Sequence, residues 1–439
     1  MSGTSNLKER LSQLEAYQRP QQPCVPKIQR VAQHLRDREH LKKHYSPKLV
    51  SLGPIHHGDP KLELGEQYKH MWASTYVRDN NTTPQALYSK VAVAANVEEL
   101  KGMFGDDLFS NDPRGFASVD EMISWMLFVD GCALLQILGN ADLSKPNKLN
   151  VKVDQLVLVM MDVLLLENQL PYELLKLLWV RDQEESSLIQ MMKHFLKCHH
   201  WATEKDHNKT KLKGLTLNMP LVHLLNLQRT IILHDPQDNQ KKQNQNNDPN
   251  QNTGESEMVT YRNIKELRAA GIGVKSSRTR RPSDISFSKG FLRSELTLPE
   301  IVVDDTTANT MLNLIAYEMC PDFENDYGIC SYVSFLDSLI DHPDDVKVLR
   351  SEGILLNSLG SDEEVAELFN IIGTDLVPDM TKYARTRTQI EKHYKNKWKT
   401  WFTLGCHNYF GNPWSIIAFH AAVLGLALTF IQTWYAIHP

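Results

Sequence analysis

The sequence predicts a mainly α protein: one large helical domain with a small β component, then a single C-terminal transmembrane helix. Three observations predict it. Apolar residues recur at helical spacing through most of the chain. Strand-like alternation is concentrated in residues 284–303. Residues 414–437 form a final apolar run with no charged side chain. The expected organisation is a flexible amphipathic segment at 1–23, a globular domain at 24–408 and the membrane helix at 414–437.

The 439 residues are enough for one large or two ordinary domains. An apolar fraction of 41% with 23% charged residues excludes collagen, wholesale disorder and a multi-span transporter. The charge balance, 48 bases against 53 acids, gives −5, so no nucleic-acid partner is expected.

Leu7, Leu11 and Leu14 mark a short amphipathic helix, and Pro20, Pro23 and Pro26 then break the chain. A charged helix is expected at 28–44, followed by an extended piece at 48–52 that Gly53-Pro54 closes. Further helices are expected at 63–77, 83–99 and 118–138, the last opened by a Ser118/Glu121 capping box. The Leu-rich run 156–180 is as long as a membrane span. Its interruptions, Asp162, Glu167-Asn168-Gln169 and Pro171, favour two soluble core helices meeting at a kink.

In residues 235–257, 11 of 23 are Asn or Gln and none is aliphatic or aromatic, which predicts a disordered insertion loop. Helix resumes at 259–270, and Gly271-Ile272-Gly273 reads as a helix stop and turn. After the strand region, helices are expected at 306–318, 332–340, 343–352, 362–372 and 380–402.

The six cysteines are scattered without a CxxC, as free thiols in a reducing compartment would be. The N-terminus has no apolar signal-peptide core. The terminal run could span about 36 Å as a helix, against a hydrocarbon core of about 30 Å. Leu424 and Leu428 lie in its middle, and Trp414 and Trp434 stand where an aromatic belt would. Seven bases and one acid between 382 and 399 place the large domain in the cytosol by the positive-inside rule. The layout is tail-anchored, and the lipid bilayer is its first expected partner. Ala421, Ala422 and Gly425 give only a small-residue face, so the oligomeric state stays open.

Signatures of P-loop, zincin, serine-hydrolase and dinucleotide chemistry are absent, and no cofactor is expected. His194, Cys198, His199 and His200 lack two further ligands at zinc spacing, so no metal is expected. Acids inside apolar stretches (Glu66, Glu121, Asp130, Asp162, Glu167) must be paired or hydrogen-bonded. The catalytic candidates are His57, as a general base, and Glu66, Asp130 and Glu167, as members of a hydrolytic carboxylate pair. Capping and ion pairing are the commoner fate of such acids. Ser283, three residues after Arg280 in a basic loop, is a candidate phosphorylation site.

Ordered pieces run along nearly the whole chain: YSPKLVSLGPIHHG at 45–58, Glu66 with Lys69, DGC at 130–132 and LLENQLP at 165–171. They continue with DISF at 284–287, NLIAYE at 313–318, SYVSF at 331–335 and Pro413-Trp414. Together they resemble the plant family known as domain of unknown function 247. The sequence departs from that family's pattern at Gly65, Ala133 and Gln136. The resemblance implies a membrane-associated protein with no established activity and no catalytic residues to carry over. Some grass members are linked to self-incompatibility loci, which implies a pollen-side mating determinant as one alternative. A hydrolase using the buried carboxylates or His57 is another. The leading expectation is a non-enzymatic recognition or signalling module with an unidentified protein partner.

Overall fold

A computed structural model describes residues 26–109, 112–113, 115–181, 185–197, 221–234, 262–277, 279–290, 294–324, 326–395 and 413–437, with 7–14 in part. The helices, in chain order, are α1 (Gln33–Arg36), α2 (Glu39–Lys42), α3 (Glu63–Asp79), α4 (Pro84–Val91), α5 (Ala94–Gly102) and α6 (Val119–Asn140). Next come α7 (Val153–Asp162), α8 (Tyr172–Leu178), α9 (Glu185–Leu196), α10 (Leu224–Leu233) and α11 (Ile264–Ala269). After the strands follow α12 (Thr307–Glu318), α13 (Gly328–Asp337), α14 (Pro343–Ser351), α15 (Asp362–Gly373), α16 (Ala384–Lys395) and α17 (Pro413–Ile437). The mainly α class with few strands is therefore the observed one.

Caps account for several boundaries. Ser118 Oγ accepts from Glu121 N at the start of α6, and Ser361 Oγ from Glu364 N at the start of α15. Glu121 returns to the N–H of Ala117, one residue earlier than a capping box requires.

The strands are β1 (Ile272–Ser276), β2 (Ser286–Ser288), β3 (Ser294–Leu298), β4 (Ile301–Val303) and β5 (Leu355–Asn357). One sheet has the order β1-β3-β2, with β1 parallel and β2 antiparallel to β3, and β4 pairs with β5 in parallel. The core falls into three clusters. The N-terminal one is built around α6, which packs against α3, α4, α8 and α9. A second joins the strands to α11 and α13–α16. The third lies along α12 and α13 and takes in Val31, Leu35, Tyr45 and Leu166 from the first half of the chain.

Several expectations need correction. Residues 28–44 are not one helix: Ile28 forms a bridge to Phe104, and only α1 and α2, one turn each, follow. Ile28 is buried in the N-terminal cluster and Val31, Leu35 and Leu41 in the third, so the stretch is divided between two cores. The 83–99 helix breaks at Ala92-Val93 into α4 and α5. The apolar run is α7, a one-turn 3-10 helix (Leu166–Asn168) and α8, the expected soluble core with a wider break than a kink. The helix stop and turn read at 271–273 hold at Gly271, a left-handed turn residue just after α11, but Ile272 and Gly273 already belong to β1; the helix expected at 332 begins at Gly328. The Asn/Gln-rich segment 235–257 lies outside the described residues, as does 396–402 of the expected helix 380–402.

Candidate functional site

The segment 45–58 has no secondary structure to satisfy its backbone, and buried side chains from distant segments do so instead. Asp162, at the end of α7, accepts from Lys48 N (2.9 Å), Leu49 N (2.7 Å) and Val50 N (2.9 Å). Asn168 Oδ1 accepts from Leu52 N at 2.5 Å, while its amide donates to Val50 O and Asp162 O. Asp130 Oδ2, on α6, accepts from Gly53 N at 2.9 Å. Orphaned backbone N–H groups in an apolar core are costly, so each acid here replaces a missing ladder partner. Burial outweighs those three donors for Asp162 and pushes its carboxyl up to about 6.

Gly65 lets this segment approach α3. A Cβ there would meet Leu49 O at 1.8 Å, against immovable backbone. A side chain at position 65 is thus excluded by the packing of this segment.

At the centre of the segment sits a charged cluster. Lys69 Nζ, on α3, lies 2.7 Å from Asp130 Oδ1 and 2.9 Å from Glu66 Oε1. Ser51 Oγ donates to Glu66 Oε1 at 2.7 Å. Burial works against the Lys69 ammonium, but Asp130 and Glu66 raise its pKa and hold it charged. Burial likewise lifts Glu66, yet Lys69, Ser51 and His57 together bring it below the usual carboxylate range. Two predicted candidates, Glu66 and Asp130, therefore do meet, with His57 close enough for its charge to act on Glu66. The space between the carboxylates is filled by the Lys69 ammonium rather than by a cleft. Lys69 stood in the sequence pattern, but its role as their shared counter-ion was not legible there.

Glu167 lies elsewhere. Its Oε1 accepts from Val31 N at 2.8 Å and from Arg36 Nη2. His56 Nε2 stands 2.9 Å from Oε2, outside hydrogen-bond geometry. Burial, Arg30 and Arg36 press the His56 imidazole down to about 4, so the ring is neutral and the contact is no ion pair.

A parallel device ties the third cluster together. Glu318 accepts from Ile329 N, Cys330 N and Arg229 Nε at 2.7–2.9 Å, and Arg229 reaches Asp326 Oδ2 at 3.0 Å. Asn313 accepts from Leu166 N and donates to His44 O and Asn309 O. The motifs singled out in the sequence thus supply clamps, some between segments more than 100 residues apart, Asp162 to Lys48 and Asn313 to Leu166 among them.

Among the described residues no group of three His, Cys, Asp or Glu side chains could hold a metal, and Cys198, His199 and His200 lie outside them. Ser283 is exposed on a 3-10 turn (Pro282–Asp284), and Arg280 is engaged with Glu300 at 2.6 Å. The terminal helix α17 is the opposite of the clamped interior. Leu424 is 64%, Leu428 65% and Trp434 56% exposed, and the apolar window Ile417–Trp434 has no buried share. At Trp414 only the helical backbone is described.

Comparison with known proteins places the chain in a family context. The UPF0481 protein At3g47200 of Arabidopsis thaliana is 26% identical over 423 residues, 90% of this chain and 83% of the relative. The putative UPF0481 protein At3g02645 of the same plant is 30% identical over 179 residues, 40% of this chain; the match spans about a third (33%) of that relative. No solved structure matches. The family described as a plant protein of unknown function, DUF247, matches residues 28–428, and the chain belongs to that family.

Proposed function

We propose that this protein is a membrane-anchored recognition module, held by α17 and presenting its helical body to the cytosol for a protein partner. One observation carries the reading: an uncharged 25-residue helix, Pro413–Ile437, whose described side chains are exposed throughout. Exposing Leu424, Leu426, Leu428 and Phe430 together to water is unfavourable, and a bilayer removes that cost. The engaged state of the buried carboxylates supports a binding role over a hydrolytic one. Asp130 and Glu167 already hold a cation and a backbone N–H group each, and the half-buried Glu66 holds Lys69 and the Ser51 hydroxyl. The bases between 382 and 399 favour the cytosolic orientation.

The test uses the full chain with a tag at each end, in isolated membranes, beside a chain lacking 414–439. The reading expects the full chain to resist alkaline extraction, the N-terminal tag to be digested from the cytosolic side, and the truncated chain to be released. Extraction of the full chain at alkaline pH overturns the anchor, and protection of the N-terminal tag overturns the orientation. Proximity labelling from the anchored chain should then give neighbours that a tail-only control does not.

A further inference from the structure

We infer that the outward face of α16 docks on anionic lipid headgroups of the membrane that holds α17, an inference that rests on the anchoring proposed above. The exposed positions of α16 are Arg385, Thr388, Lys392 and Lys395. At 100° per residue these four fall within an arc of about 80°, so three bases form one narrow stripe. The helix cannot rotate this stripe away, because its other side is clamped. His393 bridges Ser294 Oγ (3.1 Å) and Ala270 O (3.0 Å), and Tyr394 donates to Glu266 O at 2.6 Å. The Arg387 guanidinium lies over the Phe335 ring. Ile390 and Thr386 are buried beside them.

The one acid of the helix is drawn off the stripe. Glu391 is half-buried, 3.6 Å from Arg262 Nη2, and Arg262 itself stacks on Tyr394. The outward face thus carries bases and a threonine but no carboxylate.

Two facts select a lipid surface as the occupant. Charge complementarity is the first: a stripe of fixed cations matches the negative headgroups of a cytosolic leaflet. Chain length is the second. Only 17 residues, 396–412, separate α16 from α17, and they extend at most about 60 Å. The anchored domain therefore carries this stripe within reach of the membrane at every moment, at a high effective concentration.

The experiment reconstitutes the full chain into phosphatidylcholine vesicles and into mixed phosphatidylcholine/phosphatidylserine vesicles. An amine-reactive reagent then reads the labelling rates of Lys392 and Lys395 by mass spectrometry, with the exposed Lys61 as internal reference. The inference expects both lysines to label several-fold more slowly in the mixed vesicles, with the rate restored by high salt. In R385E/K392E, protection of Lys395 should fall while Lys61 is unchanged. Equal rates in the two vesicle types, with the chain resistant to alkaline extraction from both, overturn the inference and leave the anchor standing. Protection of the same size in phosphatidylcholine alone also overturns it, since the cover is then protein. Loss of the chain from both vesicle types at alkaline pH is failure of the anchor itself, and the inference falls with it.

Discussion

Two helices of this chain, α6 with 22 residues and α17 with 25, are both long and apolar enough to cross a membrane, and they live in opposite surroundings. In α6, 89% of the most apolar window is buried inside the protein; in α17 the corresponding share is 0%. Hydropathy alone cannot separate them. The difference lies in what the neighbours supply. Residues of α3, α4, α8 and α9 cover α6, and its one interior charge, Asp130, has Lys69 waiting for it. Nothing among the described residues covers α17, and it has no charge to satisfy. A lysine placed in each helix sharpens the contrast. Leu134→Lys in α6, at a side chain 2% exposed, should abolish the folded body, since an unpaired buried charge costs several kcal/mol. Leu426→Lys in α17, at 73% exposure, should leave the melting temperature of the body unchanged while costing about 3 kcal/mol of membrane insertion. Thermal melts and alkaline extraction read the two effects separately. A folded L134K protein breaks the account of α6, and a body destabilised by L426K breaks the account of α17.

The second prediction concerns the charge that α6 tolerates. Lys69→Met removes the ammonium between Asp130 and Glu66 and leaves Asp130, 1% exposed, without its counter-ion. Breaking a buried pair from one side costs about 3–5 kcal/mol. Chemical denaturation should show a loss of that size, and adding Asp130→Asn to the same chain should recover part of it. If K69M alone is neutral, the cluster is not what holds segment 45–58 onto α3 and α6.

What the sequence made legible follows the range of each interaction. α3, α14 and α15 were readable because their signals are local: Pro343 at the start of α14, Ser361 as a cap, and apolar spacing along one face. The terminal helix was readable because its length and lack of charge suffice to nominate it. The stretch 28–36 was misread because its conformation is decided from outside, by the bridge of Ile28 to Phe104 and by Glu167 taking the N–H of Val31. β1 and β5 were missed for a related reason. Each is a short strand whose parallel partner arrives from elsewhere, Ser294–Leu298 for one and Ile301–Val303 for the other. At the site, Asp130, Asp162 and Glu167 stood out as acids in apolar surroundings. That they clamp segments some 80 to 140 residues away could not be read from spacing.

The smallest predicted effect separates the buried body from the tail by pH. His223 is fully buried, its Nδ1 accepting from Asn226 N at 3.1 Å to cap α10 and its ring set edge-on to Tyr317. Burial presses its pKa down to about 3, so the native state holds it neutral while the unfolded chain protonates it near 6.5. For such a depressed group the stabilisation is present above pH 6.5 and drains as pH falls towards 3. Between pH 7 and pH 5 the linkage amounts to about 2 kcal/mol. His56, at about 4, acts in the same direction. Asp162 and Asp337, both raised to about 6, act in the opposite one, because protonation favours the native state as pH falls from 6 towards 4. The wild-type profile is therefore a partial cancellation, and only a difference between variants isolates one group. His223→Asn keeps a side-chain cap and removes the titration. Relative to wild type at pH 7, it should gain about 2 kcal/mol of relative stability on moving to pH 5, read from denaturation midpoints. On the proposed anchoring, alkaline and acid extraction of the same chain should leave α17 in the membrane throughout, since such a hold would depend on apolar area and on no titrating pair. A variant whose pH slope matches wild type would show that the interior near Tyr317 admits a proton in the folded state, and the contrast between a sealed body and an exposed tail would have to be redrawn there.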